Sequence, residues 1–316
     1  MTATVESQPT LYDCRESWAA TIANVADHNP RVVVVVNDSV GSSKLGDFKT
    51  HFPDRTIDVG IAEQNMVGVG AGLANGGFIP FISAAGCFLT ARALEQIKVD
   101  AAYSQYNVKL VGQSPGVAYG NLGPTHHSIE DFAWLRTLPD FTVLSPASPK
   151  ETEQVVRWAA EHDGPVYIRV PRMGIPEIYD DQYQFRAGKA VRMRDGDDVT
   201  IMATGTTVTR ALAAADVLVA ENVSARVVSF PTVKPLDHEA IIAAARETNG
   251  IVTVEEAFVN GLGGAVAEVT AESAPCPVKR IGFREEFAVT GAAPWLLDQH
   301  GASPEGIAET ARSLMS

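Results

Sequence analysis

The sequence predicts an α/β protein of two doubly wound domains, and three observations predict it. Apolar runs of strand length recur along the chain, helical segments separate them, and the rhythm lapses once, between about residues 174 and 198. Strands alternating with helices build parallel sheets, and a parallel sheet covered on both faces carries continuous apolar runs. A chain of 316 residues suffices for two cores, since domains usually hold about 100 to 200 residues.

Taken in order, the strands of the first half are "RVVVVVND" (31–38), "GGFIPFISA" (76–84), "VKLVGQS" (108–114), "FTVLSPA" (141–147) and "PVYIRVP" (165–171). Between the first two, "TIDVGIAEQNMVGVGAGLANGGFIP" (56–80) reads as a strand end, a turn at Gly60 and a helix of small and apolar residues. That helix carries Gly68, Gly70 and Gly72. Each costs roughly 1 kcal/mol against alanine in a helix interior, so something must approach closely there. In "SPKETEQVVRWAAEH", Ser148 is an N-cap, Pro149 takes the first helical position and Glu151 completes a capping box. After the polar, turn-rich lapse a boundary falls near residue 188, giving domains 1–187 and 188–316. The second, smaller domain repeats the alternation with "VTIMAT" (199–204), "ARVVSFP" (225–231), "GIVTVEE" (250–256) and "VKRIGF" (278–283).

Composition narrows the partners. With 38 acidic and 25 basic residues the net charge is −13, which disfavours nucleic acid and anionic lipid, and no basic patch offsets it. Cys14, Cys87 and Cys276 are odd in number and far apart, so neither a disulfide framework nor a zinc site is indicated and a reducing cytoplasm is expected. The start, "MTATVESQPT", lacks an apolar signal core, and no apolar run is long enough to span a membrane.

Several stretches could carry chemistry. "GLGGAVAE" (261–268) lacks the full context of a phosphate loop and reads as a tight turn opening a helix. "RDGDD" (194–198) reads as a solvated hairpin and not as a metal loop. His126 and His127 close a Gly- and Pro-punctuated loop after strand 108–114, at the carboxyl end of a parallel sheet where ligands gather. Adjacent histidines point in different directions and do not suit one metal; His127 reads as a packing or capping group. Glu63 stands in the first turn of its helix, where the dipole alone favours an acid. Its apolar surroundings favour the protonated form.

"DVGIAEQNMVGVGAGLANGGFIPF", "FLTARALEQIKVDAA", "GNLGPTHHSIEDFAWLRTLPDFTVLSPASPKE" and "GPVYIRVPR" together resemble the pyrimidine-binding domain of transketolases. "TIMATGTTV", "FPTVKPLD", "VEE" and "GLGGAVAE" continue the resemblance into the transketolase C-terminal domain. From about Arg15 onward nearly the whole chain is covered. A G-D-G motif followed by asparagine, with which the family holds magnesium and thiamine diphosphate, is not found in it. The resemblance therefore implies the C-terminal subunit of a split transketolase, working in an α2β2-type assembly with a second chain that holds the diphosphate and Mg2+. It further implies that Glu63 hydrogen-bonds N1′ of the thiamine aminopyrimidine, favouring the imino tautomer that activates the cofactor. Phe88 would stack on that ring, and Asp38 belongs to the same cofactor set. His126 matches a histidine that binds substrate hydroxyls and transfers protons. Arg15, Ser42 and Arg172 match residues that contact the sugar phosphate, for which arginine's fork of donors is suited.

Four positions depart from the family pattern. Ser114 replaces a phosphate-binding histidine, Leu122 an aspartate that reads an acceptor hydroxyl, Ala85 a pocket aromatic and Ala257 the histidine usual after "VEE". Losing a hydrogen-bonding group for a hydroxyl changes discrimination strongly, so these substrate-side positions, Ser114 and Leu122 above all, imply an unusual sugar. The expected reaction is transfer of a two-carbon ketol unit from a ketose, phosphorylated or related, to an aldose. The alternatives are the β subunit of a 2-oxo acid dehydrogenase and a non-catalytic scaffold subunit.

Overall fold

The computed structural model describes residues 9–315; the start of the polar N-terminal stretch, residues 1–8, lies outside them. In chain order the strands are β1 (Val32–Val36), β2 (Thr56–Asp58), β3 (Ile79–Ala85), β4 (Lys109–Gln113), β5 (Thr142–Leu144), β6 (Val166–Val170), β7 (Val191–Arg194), β8 (Val199–Ala203), β9 (Ala225–Ser229), β10 (Thr232–Lys234), β11 (Ile251–Phe258) and β12 (Val278–Phe283). They form a seven-stranded sheet ordered β10-β5-β6-β4-β3-β1-β2 and a five-stranded sheet ordered β12-β11-β8-β9-β7. Both are parallel except at one edge, where β10 and β7 run antiparallel to their neighbours. Every residue of β1, β3, β4, β6 and β8 is buried, as their unbroken apolar runs require.

Two strands depart from expectation. β10 comes from the second half of the chain but completes the sheet of the first, pairing Thr232 with Leu144. β7 pairs with β9 and not with β8, so the segment 194–198 between β7 and β8 is a connection across the sheet and not the expected hairpin. Its acids are tied locally: Asp195 pairs with Arg192, and Asp198 accepts from the Ser224 N–H.

Helices cover both faces of the larger sheet. On one, Trp18 of the helix Cys14–His28 is fully buried against Phe81 of β3, with ring centroids 5.7 Å apart. On the other, Met66 and Val67 of the helix Glu63–Asn75 pack with Ile82, Leu89 and Ile97. The parallel register aligns Val34 with Phe81, Ser83 with Val111 and Val111 with Ile168. Consequently the segments that follow β1, β3, β4 and β6 all emerge at one end of the sheet. Asn37, Gly86, Ser114 and Arg172 begin or lie in them.

The N-cap at Ser148 forms as expected, its Oγ accepting from the Glu151 N–H at 3.2 Å. The reciprocal half of the capping box differs: Glu151 accepts instead from the Ala147 N–H at 2.7 Å and from the Tyr183 hydroxyl. Burial pushes the Glu151 carboxyl up to about 7. A carboxyl raised in the folded state above its unfolded value adds stability below the unfolded pKa and loses it as pH rises through the folded one. Glu151 should therefore lower the unfolding free energy between about pH 4.5 and 7, by up to about 1.4 kcal/mol per pH unit. Urea unfolding of Glu151→Gln at pH 5, 6 and 7 should give a flatter pH dependence than the wild type. Parallel profiles would contradict this.

The turn at 261 opens the helix Leu262–Ser273, as the glycine spacing implied. Its first N–H groups, those of Leu262 and Gly263, donate to the Glu255 carboxylate at 2.8 and 2.7 Å, so the chain's own acid fills that helix N-terminus. Glu256, next along β11, projects to the opposite face as strand geometry dictates. It accepts from the Val117 N–H at 2.8 Å and from the Thr206 hydroxyl. The second half of the chain thereby grips the loop that follows β4.

Candidate active site at the carboxyl end of the larger sheet

Glu63 begins its helix after β2 and a left-handed turn at Gly60, φ 71°. The Glu63 side chain is only 3 % exposed. It lies beside an open cleft of about 700 Å³ lined by Ile61, Ala62, Glu63, Gln64, Asn65 and Arg92. Its carboxyl group meets donors that are remote in sequence. Asn37 Nδ2 reaches Oε1 at 3.2 Å, and Arg92 Nη1 lies 3.2 Å from each oxygen. The buried acid is thus held as an ion pair with a guanidinium that is itself about half exposed.

Of the three helix glycines, only Gly70 is explained within the chain, because a Cβ there would run into Ile82. Gly72 has nothing within 4 Å of its missing Cβ, and Gly68 only the Asp100 carboxylate at 3.9 Å. With the exposed Gln64 and Asn65, the partly exposed Gly68 and the exposed Gly72 lie on one face of that helix, one turn after another.

Phe88 sits on the short helix Gly86–Arg92, which begins directly after β3. Residues four apart on a helix share a face, and the Arg92 guanidinium covers the Phe88 ring at 4.1 Å from its centroid. His126 meets Phe88 edge to face, centroids 5.1 Å apart at 69°. On its other side it meets Tyr119, 6.1 Å away at 78°, and Tyr119 in turn carries the Arg172 guanidinium at 4.8 Å. His126 Nδ1 bonds the Thr125 hydroxyl at 3.0 Å. His127 is buried, and burial lowers its pKa, which agrees with a packing role.

The remaining predicted residues are placed unequally. Arg15 and Ser42 come together, Arg15 Nη1 donating to the Ser42 carbonyl at 3.0 Å. Two further guanidinium nitrogens of Arg15, however, grip Asp13 at 2.9 and 2.6 Å. Burial alone would raise the Asp13 carboxyl; these bonds hold it below its ordinary value. Ser114 is buried in a left-handed turn, φ 53°, with its hydroxyl unbonded. Leu122 is 56 % exposed, and Ala85 and Ala257 are buried. Asp38 is exposed and bonds its neighbour Ser39 at 3.4 Å; the preceding residue, Asn37, is the one that reaches Glu63.

Asn37, Arg92 and Tyr119 were not among the residues predicted from sequence. The i, i+4 relation of Phe88 and Arg92 was a legible signal for one of them. The contacts of Asn37 and Tyr119 depend on loop geometry that no local pattern encodes.

Glu63 and Arg92 line the cleft, the Arg92 guanidinium also covers the Phe88 ring, and Phe88 in turn meets His126, so the three predicted residues are joined in one run of contacts. Comparison with known proteins identifies the family. The model of the transketolase pyrimidine-binding domain matches residues 12–177, and that of the transketolase C-terminal domain matches residues 188–307. An apulose-4-phosphate transketolase subunit from Phocaeicola vulgatus is 43 % identical over 300 residues, covering 94 % of this chain and 96 % of that protein. A 6-deoxy-6-sulfo-D-fructose transketolase subunit from a Clostridium species is 38 % identical over 301 residues, covering 95 % and 94 %. A solved split-gene transketolase, an inactive tetramer of β subunits, superimposes with a TM-score of 0.86 at 38 % identity, covering 96 % and 97 %. This chain belongs to the transketolase family and carries its pyrimidine-binding and C-terminal domains.

Proposed function

We propose that this chain is the C-terminal subunit of a two-chain, thiamine diphosphate-dependent transketolase. In this reading it transfers a two-carbon ketol unit from a ketose with an anionic end group to an aldose. The observation that carries the reading is the 3 % exposed Glu63 carboxylate beside an open cleft, joined through Arg92 to Phe88, which meets His126. Thiamine diphosphate, when bound, supplies the nucleophilic carbon and the electron sink that cleavage of a carbon–carbon bond requires.

The chain's own residues do the rest. Glu63 would hydrogen-bond the pyrimidine nitrogen N1′, Phe88 would pack on the ring, and His126 would exchange protons with substrate hydroxyls. Arg172 and the Arg15–Ser42 pair anchor the end group of the sugar. Arg172 is exposed and has no carboxylate partner among the described residues, so it is the freer of the two arginines.

A partner chain would supply the diphosphate and Mg2+ site and cover the exposed face of the Glu63 helix, in an α2β2-type assembly. No helix among the described residues is long and apolar enough to cross a membrane; a cytoplasmic location belongs to the proposal. So does the substrate. The relatives named above act on ketoses ending in a phosphate or a sulfonate, and Leu122 offers no acceptor for a hydroxyl where the family has a carboxylate.

The test is reconstitution with the diphosphate-binding subunit, cofactor and Mg2+, assaying ketose plus aldose against decarboxylation of a 2-oxo acid. Ketol transfer without decarboxylation is the expected result. The reverse pattern would assign the chain to the 2-oxo acid dehydrogenases, and turnover by the partner alone would make it a scaffold.

A further inference from the structure

The loop between β4 and the helix Asp131–Leu135 is built as a rigid frame. Its left-handed entry at Ser114 leads to Val117, whose N–H is held by Glu256, and then to Gly120. Gly120 is pressed on the second half of the chain: a Cβ there would strike the Gly291 carbonyl, and the Gly291 N–H donates to the Gly120 carbonyl at 3.1 Å. Gly123, at φ 79°, faces Thr290 in the same way. Between these clamps stands Tyr119, whose ring touches both Arg172 and His126.

We propose that Tyr119 is a positioning residue that holds Arg172 over the substrate's anionic end group while keeping its register with His126. This deepens the reading of Arg172 as an anion anchor and rests on it. An exposed arginine without a carboxylate partner samples many rotamers, and fixing it for a bidentate contact costs side-chain entropy. A ring face beneath the guanidinium offsets that cost in the free enzyme, so less ordering remains to be done when the substrate arrives. The edge contact with His126 fixes the distance between the anchored end and the proton-transfer group. It thereby matches a ketose of set length. The Tyr119 hydroxyl makes no hydrogen bond among the described residues, so the ring is the working part.

The experiment uses the reconstituted two-subunit enzyme and two donors that differ only at the end group, a pentulose 5-phosphate and the corresponding free pentulose. Tyr119→Ala should raise KM for the phosphorylated donor about tenfold, within the span of a cation–ring contact, and change KM for the free pentulose less than about twofold. Tyr119→Phe should restore the wild-type KM. Equal rises for both donors would mean general damage to the loop and overturn the proposal, as would a Tyr119→Phe variant behaving like Tyr119→Ala. Arg172→Ala separates the two levels of inference. Should it raise the phosphate KM while Tyr119→Ala does not, only the positioning role falls; should it leave that KM unchanged, the anion-anchor reading falls as well.

Discussion

Glu63→Gln in the reconstituted enzyme should lower kcat by about a thousandfold or more, the scale of losing a positioned proton-transfer group. Glutamine keeps the shape and one acceptor but cannot hold a proton for N1′, so the loss isolates chemistry from packing. Glu63→Ala should do the same. Because Glu63 is buried and bonded to Asn37 and Arg92, the control is the melting temperature of the subunit, which for Glu63→Gln should stay within a few degrees of wild type. The Arg92 ion pair does not argue against the role. Arg92 is half exposed, so its guanidinium can turn back to water without being buried unpaired. In the proposed complex the pyrimidine nitrogen replaces the guanidinium as the hydrogen-bonding partner of Glu63. Turnover near the wild-type level in Glu63→Gln would remove the foundation of the proposed function.

How much of this was readable from sequence depends on whether the signal was local. The buried parallel strands announced themselves, since a segment such as Val32–Val36 has no other stable place than a sheet interior. The edge strands did not. β7 is only partly buried, and β10 is three residues long and joins a sheet whose other members lie far before it. Neither length nor periodicity marks such pieces. Glu63 stood out because an acid and three glycines sat in one apolar helix, but the sequence could not say that Gly70 faces Ile82 while Gly68 and Gly72 face outward. Only apolar neighbours are visible beside Glu63 in the sequence; Asn37 and Arg92, remote in sequence, are what meet it.

The least legible feature is also the one whose loss should cost most stability. Asp131 and Arg169 are 0 % and 3 % exposed and pair at 3.0 Å. Asp131 also accepts from the Tyr167 hydroxyl at 2.7 Å and from Ser128 Oγ at 3.3 Å. Arg169 donates to the carbonyls of Ser128 and Glu256, each at 2.9 Å, so one guanidinium joins the sheet, the His126 loop and β11. Removing one partner of a buried pair strands the other charge, at a cost of about 3–5 kcal/mol. Asp131→Ala should lower the unfolding free energy by that amount in urea titrations. Asp131→Asn, which retains an acceptor for Arg169, should cost less. A loss under about 1 kcal/mol for Asp131→Ala would mean that water or a rearranged side chain compensates Arg169. The same variant should also disturb catalysis, because Ser128 ends the loop that presents His126, and both its hydroxyl and its carbonyl are held by this pair. The carboxylate that holds the guanidinium joining the two halves of the chain therefore also supports the loop on which Tyr119 and His126 stand.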